Sequence, residues 1–435
     1  MKEIRLQNFR CFSEMNIAFR SGVNLLVGDN ATGKTSVLKA CKYVLSSFFC
    51  GFSDDNTKWL NPGNDDFREV MADGFLLPEQ PLQIDFDVAD MKEASPSFLI
   101  NGDWDYNGSL VKKSKKNSRS QTSGFKQYKN YATSVLKNYM DEAGQHTALP
   151  LFAAFSTEDI HATRKIDKKR FKQYVHKPSF GYYECLEGNG FFPYWIKRLL
   201  VLQEGREEHP EIAIVRRAIQ TALGADGCGI ICDMHVRPNQ GKVYYILTDG
   251  REIEAEHLSD GYRRLVNIVT DLAFRCSLLN RGIYGEATCA ETQGTVLIDE
   301  VDLHLHPSLQ AVVLKGLRLV FPKLQFIVSS HAPMVMSGVE TDENNIVYLL
   351  GYSVEEGYKI SATRTYGMDM STLTHVVLKQ VPRAARVDKE LKTMFDLIDQ
   401  EKMDEARTLL SDMQSRFGDT LPELAQAEAM LDFLD

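Results

Sequence analysis

The sequence predicts an α/β fold built on a parallel or mixed sheet, and three observations predict it. Residues 28–35 read Gly-Asp-Asn-Ala-Thr-Gly-Lys-Thr, a complete Gly-x-x-x-x-Gly-Lys-Thr phosphate loop between an apolar run (Val23–Val27) and a helical pattern. Residues 295–300 read Thr-Val-Leu-Ile-Asp-Glu, an apolar strand that ends in two acids. Residues 326–331 read Phe-Ile-Val-Ser-Ser-His, a second apolar strand ending in polar groups. Parallel sheets bind ligands at the C-terminal ends of their strands, and all three runs carry their polar residues there.

The elements follow in order. Residues 3–27 alternate and then run apolar, which predicts two or three strands feeding the loop. Val37, Cys41, Val44 and Phe48 form the buried stripe of one helix. Residues 52–66 are rich in Asp, Asn, Gly and Pro and read as loop. Residues 82–88 alternate as a half-buried strand, and residues 148–155 read as a buried one. From about 189 to 223 the chain reads helical with a break at Pro210, and residues 229–256 read as a small sheet with a tight Asp249-Gly250 turn. Ser259 caps a helix whose stripe is Leu265, Ile268, Leu272, Cys276 and Leu279. Residues 351–365 read as a strand pair, and 388–398, 403–413 and 421–434 as three short amphipathic helices.

Composition narrows the class. The chain has 435 residues, 43% hydrophobic and 25% charged, with a net charge of −9, so it is no general nucleic-acid coat. Any DNA contact needs a local basic patch. One candidate is Lys112–Lys129, which includes Lys113, Lys115, Lys116, Arg119 and Lys126. That segment reads either as a solvated hairpin tip or loop, or as a surface for phosphate backbones. Eight cysteines scattered through apolar stretches suit reduced thiols in a cytoplasm. Cys228, Cys232 and His235 lack a fourth ligand nearby, so core packing is the better reading than zinc. The start shows no signal peptide and no apolar run reaches the ~20 residues of a membrane span. From Arg386 onward, 13 acids stand against 6 bases, either a solvated helical cap or a docking platform for a partner protein.

The candidate site assembles from these parts. Gly28 and Gly33 let the backbone curl, and the amides of Asn30, Ala31, Thr32, Gly33 and Ser36 with the helix N-terminus cradle a polyphosphate. Lys34 supplies a cation to β/γ-phosphates, and Thr35 an oxygen to magnesium. Asp299 is the expected metal carboxylate, Glu300 the group that polarises an attacking water, and His331 a γ-phosphate sensor.

Glu3–Arg10, the Gly28–Thr35 loop, Leu258-Ser-Asp-Gly-Tyr262, Asp299-Glu-Val-Asp-Leu-His-Leu-His-Pro307 and His331 together resemble the ABC-type ATPase heads of the RecF, structural-maintenance-of-chromosomes and OLD families. Asp260 and Tyr262 replace the more usual Gly and Gln of the signature motif. The narrower resemblance is to the PtuA family of the Septu anti-phage system. It implies an ABC-type head over 1–350, with an antiparallel β lobe, a helical lobe and a helical, basic insertion at about 90–225. A strand pair and helical partner-docking region would follow over 351–435. It also implies ATP and Mg2+ as cofactors, and contact of Arg10 with the nucleotide. Homo-oligomers would have Ser259 and Gly261 of one copy facing the γ-phosphate on Lys34 of another. The partner would be an HNH nuclease of PtuB type. The Q-loop glutamine has one candidate, Gln83. The C-terminal helices lack the clustered acids of a fused TOPRIM nuclease, which disfavours the OLD architecture, and no intrinsic nuclease is expected. Two further readings are a RecF-like DNA-repair ATPase and a nucleotide-gated scaffold with little turnover.

Overall fold

The described residues form four sheets, and the six-stranded, mainly parallel one carries the site. The computed structural model describes residues 1–89, 105–116, 122–140, 147–157, 177–188, 191–203, 209–379 and 384–433. A four-stranded antiparallel sheet comes first, in the order β2-β1-β6-β7, from β1 (Glu3–Phe9), β2 (Phe12–Ala18), β6 (Leu82–Ala89) and β7 (Asp105–Lys112). Strict alternation explains β6: Leu82, Ile84 and Phe86 face inward and are fully buried. Between β2 and β6 lie β3 (Val23–Val27) and an unanticipated hairpin, β4 (Glu69–Ala72) with β5 (Phe75–Pro78). The basic segment is not one loop. Its start is β7, and its end opens a helix, Lys126–Met140. Arg119 lies outside the described residues.

The core sheet has the order β15-β14-β3-β13-β12-β8. Its members are β8 (Leu151–Phe155), β12 (Gly294–Ile298), β13 (Leu324–Ser330), β14 (Ile346–Ser353) and β15 (Gly357–Thr363), with β3 near the centre. From β14 to β8 every pairing is parallel, and β15 runs antiparallel on the edge. β3 and β13 are buried at every residue, polar Asn24, Gln325, Ser329 and Ser330 included, as strands covered on both faces are. The strand pair expected in the C-terminal region is thus part of this sheet. Val347 and Leu349 pair with Leu25 and Val27 of the strand that feeds the phosphate loop.

The helical lobe packs Phe192–Leu202 and Pro210–Leu223 on the long helix Asp260–Tyr284. Pro210 sits at the first turn, where its missing N–H is harmless, so the break at Pro210 falls as expected. Beside them is a three-stranded sheet of β9 (Ile231–Arg237), β10 (Lys242–Leu247) and β11 (Glu252–Glu254). Cys228 is buried, the Cys232 thiol bonds the Leu247 carbonyl and His235 lies between Asp233 and Glu252. Among the described residues no helix is long and apolar enough to cross a membrane.

The chain divides into two compact units, Met1–Met368 and Asp369–Asp435. The second is built from helices Ala385–Asp399, Met403–Phe417 and Pro422–Phe433 around Met394, Ile398, Leu410, Met413, Leu424 and Leu431. All three fall where the apolar spacing placed them.

One buried carboxylate ties the β1–β2 turn to the first helix. Asp66 accepts from Lys39 Nζ (2.7 Å), the Tyr43 hydroxyl (2.6 Å) and the Gly63 N–H (2.7 Å), with the Arg10 guanidinium at 3.9 Å. Burial pushes its pKa up, but these donors outweigh burial and hold it below the ordinary value. The folded value is the lower one, so the stabilisation is present above the unfolded carboxyl's pKa of about 3.9 and is lost as pH falls through the folded value. Asp66→Asn is expected to destabilise the protein at pH 7 by about 3 kcal/mol. It also flattens the loss of stability that wild type shows below about pH 4. Urea unfolding across pH checks both.

Candidate active site

The C-terminal edge of the parallel strands gathers the expected residues. β3 runs into Gly28, whose φ is 146°, and the Lys34–Ser47 helix starts behind Gly33, whose φ is 95°. Both glycines are required by contact as well as by angle. A Cβ on Gly28 would lie 2.2 Å from the Leu350 carbonyl oxygen of β14, and one on Gly33 would lie 2.4 Å from the Phe12 ring. Gly28→Ala is therefore expected to cost about 1–3 kcal/mol of stability, read by denaturant unfolding, and to deform the loop. Between the glycines, Asp29, Asn30 and Ala31 are exposed, with Ala31 left-handed at φ 64°. Thr32 is buried, its hydroxyl donating to the Asp29 carbonyl at 2.8 Å.

Lys34 is buried, and its ammonium donates to the Gly28 and Asp29 carbonyls at 2.8 and 2.7 Å. Burial lowers its pKa, while Asp299, Asp29, Glu300 and Asp302 pull it upward. The Thr35 hydroxyl lies 3.4 Å from Asp299 Oδ1. Glu300 follows in the left-handed region at φ 48°, and His304 at φ 61°. Such angles in non-glycine residues persist only where the surroundings hold them. His331 Nε2 is 4.0 Å from Glu300 Oε1. Asp302 Oδ1 is buried with no hydrogen-bond partner among the described residues.

Two residues that motif reading passed over hold this arrangement. Ser329 donates from its hydroxyl to Asp299 Oδ1 and accepts the Glu300 N–H at 2.8 Å. Arg264, wholly buried in the Asp260–Tyr284 helix, donates to the Asp299 main-chain carbonyl at 2.6 Å. The signal for Arg264 was available: it lies three residues after Gly261 and four before Ile268, on the buried stripe.

Other expected residues stand apart. The Ser259 hydroxyl caps its helix by accepting from the Tyr262 N–H at 3.4 Å, and both Ser259 and Asp260 are exposed. No hydrogen bond joins Ser259 to the Gly28–Thr35 loop among the described residues. Gly261 is buried within its own copy, where a Cβ would meet the His304 carbonyl at 2.4 Å. Arg10 is turned to Asp66, while its neighbours Cys11 and Phe12 touch the loop side through Ser36 and Gly33. Ser36 is buried behind the loop. Gln83 does not reach the loop: its amide bonds Asp85 on the same strand at 2.9 and 3.0 Å. Lys112 is a correction to the basic-surface reading. It is buried, donates to the Pro62 carbonyl at 2.9 Å and Asn64 Oδ1 at 3.1 Å, and sits over the Phe67 ring. Lys115 is tied to Glu69.

The family description "AAA domain, putative AbiEii toxin, Type IV TA system" matches residues 23–337, well over half of the chain. The chain belongs to this AAA family. Among curated relatives, the retron Vc95 probable ATPase of Vibrio cholerae serotype O1 biovar El Tor is 23% identical, over 81% of this chain and 74% of that protein. The retron Ec83 probable ATPase of Escherichia coli is 32% identical, over 38% of this chain and 30% of that protein. The Septu protein PtuA of Bacillus mycoides (strain KBAB4) is 36% identical, over 24% and 13%. The AAA domain thus resembles ATPases named for retrons and for Septu, and its phosphate loop and acidic strand both fall within the matched residues.

The donors fit the groups such a domain binds. Magnesium takes hard oxygens, commonly one or two carboxylates plus substrate phosphates, and Thr35 and Asp299 offer a hydroxyl and a carboxylate side by side. The left-handed glycines set the curl of the loop, and the charges of Asp299, Glu300 and Asp302 act on the same Lys34 cation.

Proposed function

We propose that this chain is the ATP-binding and ATP-hydrolysing subunit of an anti-phage defence complex, working as a homo-oligomer whose ATP sites lie between copies. One observation carries the reading: the site is split. Lys34, Thr35, Asp299, Glu300 and His331 converge on one edge, while Ser259 faces solvent with no bond to them. An exposed, capped helix N-terminus is an anion site in want of an anion, and a second copy's triphosphate is the matching one.

Each residue then has a task. Lys34 leaves its loop carbonyls for the β/γ-phosphates, and the amides of Asn30, Ala31, Thr32, Gly33, Thr35 and Ser36 close on the same oxygens. Thr35 and Asp299 would hold magnesium, which would supply positive charge against the phosphates. Glu300 orients and polarises the attacking water, and His331 beside it senses the γ-phosphate. Arg10 reaches the nucleotide by leaving Asp66. Ser259 and the Gly261 backbone of the facing copy complete the site.

The relatives' names, retron and Septu, support a defence role, and an HNH nuclease as the controlled partner is what the resemblance to the PtuA family implies. The helices of Asp369–Asp435 are the proposed docking region. With Lys112 and Lys115 engaged internally, DNA contact through this segment rests on Lys113, Lys116 and Lys126, which are exposed. Light scattering with and without ATP and Mg2+ tests the reading. The wild-type mass is expected to rise by whole copies on ATP addition, and that of Lys34→Ala to stay put. A wild-type chain that binds no ATP would sink the proposal.

A further inference from the structure

The β14–β15 hairpin is pressed against the phosphate loop at both ends. The Leu350 carbonyl of β14 occupies the space where Gly28 would carry a side chain. Phe12, which fills the corresponding space at Gly33, takes the Tyr358 ring edge-on at 5.4 Å and 79°. Directly opposite Tyr358 in the hairpin register is Tyr352, and the two rings lie 4.8 Å apart at 49°. Tyr352 is 59% exposed. The hairpin needs no such ring for its own core, which ends at the buried Leu350.

We infer that Tyr352 and Tyr358 form the subsite for the base of the bound nucleoside triphosphate, and that it takes a purine. The inference rests on the nucleotide reading above and deepens it. A triphosphate held at Gly28–Thr35 must send its base away from the loop, and on this side the surface offers aromatic faces. A planar heteroaromatic ring stacks on such faces whatever its edge substituents. Stacking rewards ring area, so the larger purines are favoured over pyrimidines. The Arg68 guanidinium is engaged with Glu79, and Lys359 of the hairpin with Glu356. The Cys11 thiol, 3.9 Å from the Ser36 hydroxyl, joins this aromatic patch to the first turn of the Lys34 helix.

The test is equilibrium binding of ATP, CTP and inorganic tripolyphosphate to the full chain and to Tyr352→Ala, Tyr358→Ala and Tyr358→Phe, with melting curves alongside. The expected result is a loss of about tenfold or more in ATP affinity in each alanine variant. Tripolyphosphate affinity stays unchanged, and the wild-type preference for ATP over CTP collapses. Tyr358→Phe keeps wild-type ATP affinity, because the ring and not the hydroxyl makes the stack. Tyr352, being exposed, reports even if Tyr358→Ala folds poorly. Unchanged ATP affinity in Tyr352→Ala would overturn the inference, as would equal losses of ATP and tripolyphosphate. A wild-type chain that binds neither ligand would instead overturn the nucleotide reading and the subsite with it.

Discussion

Replacing Glu300 with Gln lowers ATP turnover by about 10²- to 10⁴-fold and leaves ATP bound. The amide keeps the size and shape of the carboxylate but cannot take a proton from water. The backbone gives the substitution its sharpness. Glu300 sits at φ 48°, with its N–H held by Ser329 and the carboxylate 4.0 Å from His331. Gln inherits that placement, so only the chemistry changes. In the proposed site binding rests on Lys34, Thr35 and the loop amides, which the substitution leaves alone. The expected outcome is an accumulated ATP-bound oligomer with little phosphate release, measured by nucleotide retention on gel filtration beside a phosphate assay. Hydrolysis at the wild-type rate would mean that another group activates the water.

Arg264→Ala loses about 3 kcal/mol or more of stability and uncouples the capped helix from the acidic strand. The guanidinium is fully buried and its hydrogen bond to the Asp299 carbonyl is 2.6 Å. Truncation leaves that carbonyl without its donor and opens a cavity the size of a large side chain. The effect reaches the chemistry because Asp299 and Glu300 are consecutive, and the Ser259 end of the same helix faces the proposed partner. Gly261 adds a second contact, against the His304 carbonyl in the loop after Glu300. Arg264→Lys, which keeps the charge but has no planar fork, is expected to fold and to turn over more slowly than wild type. Denaturant unfolding and ATP turnover measured together separate the two effects. Wild-type values for Arg264→Ala would remove Arg264 from the account.

The candidate site was legible because its residues carry their chemistry in local strings. Gly28, Gly33 and Lys34 need a fixed spacing, and Thr295–Glu300 announces a buried strand with acids at its end. Long-range features were less readable. Residues 351–365 read as a strand pair from local pattern, but the first strand starts earlier, at Ile346, and its place beside β3 depends on pairing across more than 300 residues of chain. Lys112 read as part of a basic run, because nothing local shows that Pro62, Asn64 and Phe67 surround it. Gln83 suited a family position, yet the partner that claims its amide is Asp85, two residues along the same strand. The β4–β5 hairpin went unread because Met71, Phe75, Leu76 and Leu77 are exposed apolar residues, which periodicity assigns to a core. Ser329 and Arg264 went unassigned for the opposite reason. The helical spacing of Arg264 placed it on the buried stripe, but its bond to the Asp299 carbonyl, like the bonds of Ser329 to the Asp299 carboxylate and the Glu300 N–H, joins distant elements that no local string encodes.

The central claim is that each ATP is held by Lys34 of one copy and Ser259 of another. Complementation measures it directly. Lys34→Ala and Ser259→Arg are each expected to be inactive alone, the first for want of phosphate binding and the second because a bulky cation blocks the facing surface. Mixed in equal amounts with ATP and Mg2+, they form pairs in which one composite site keeps both an intact loop and an intact Ser259. The account predicts that ATPase activity returns in the mixture, to a substantial fraction of wild type. A mixture as inactive as its components, formed under conditions where the two variants are shown to associate, would contradict it.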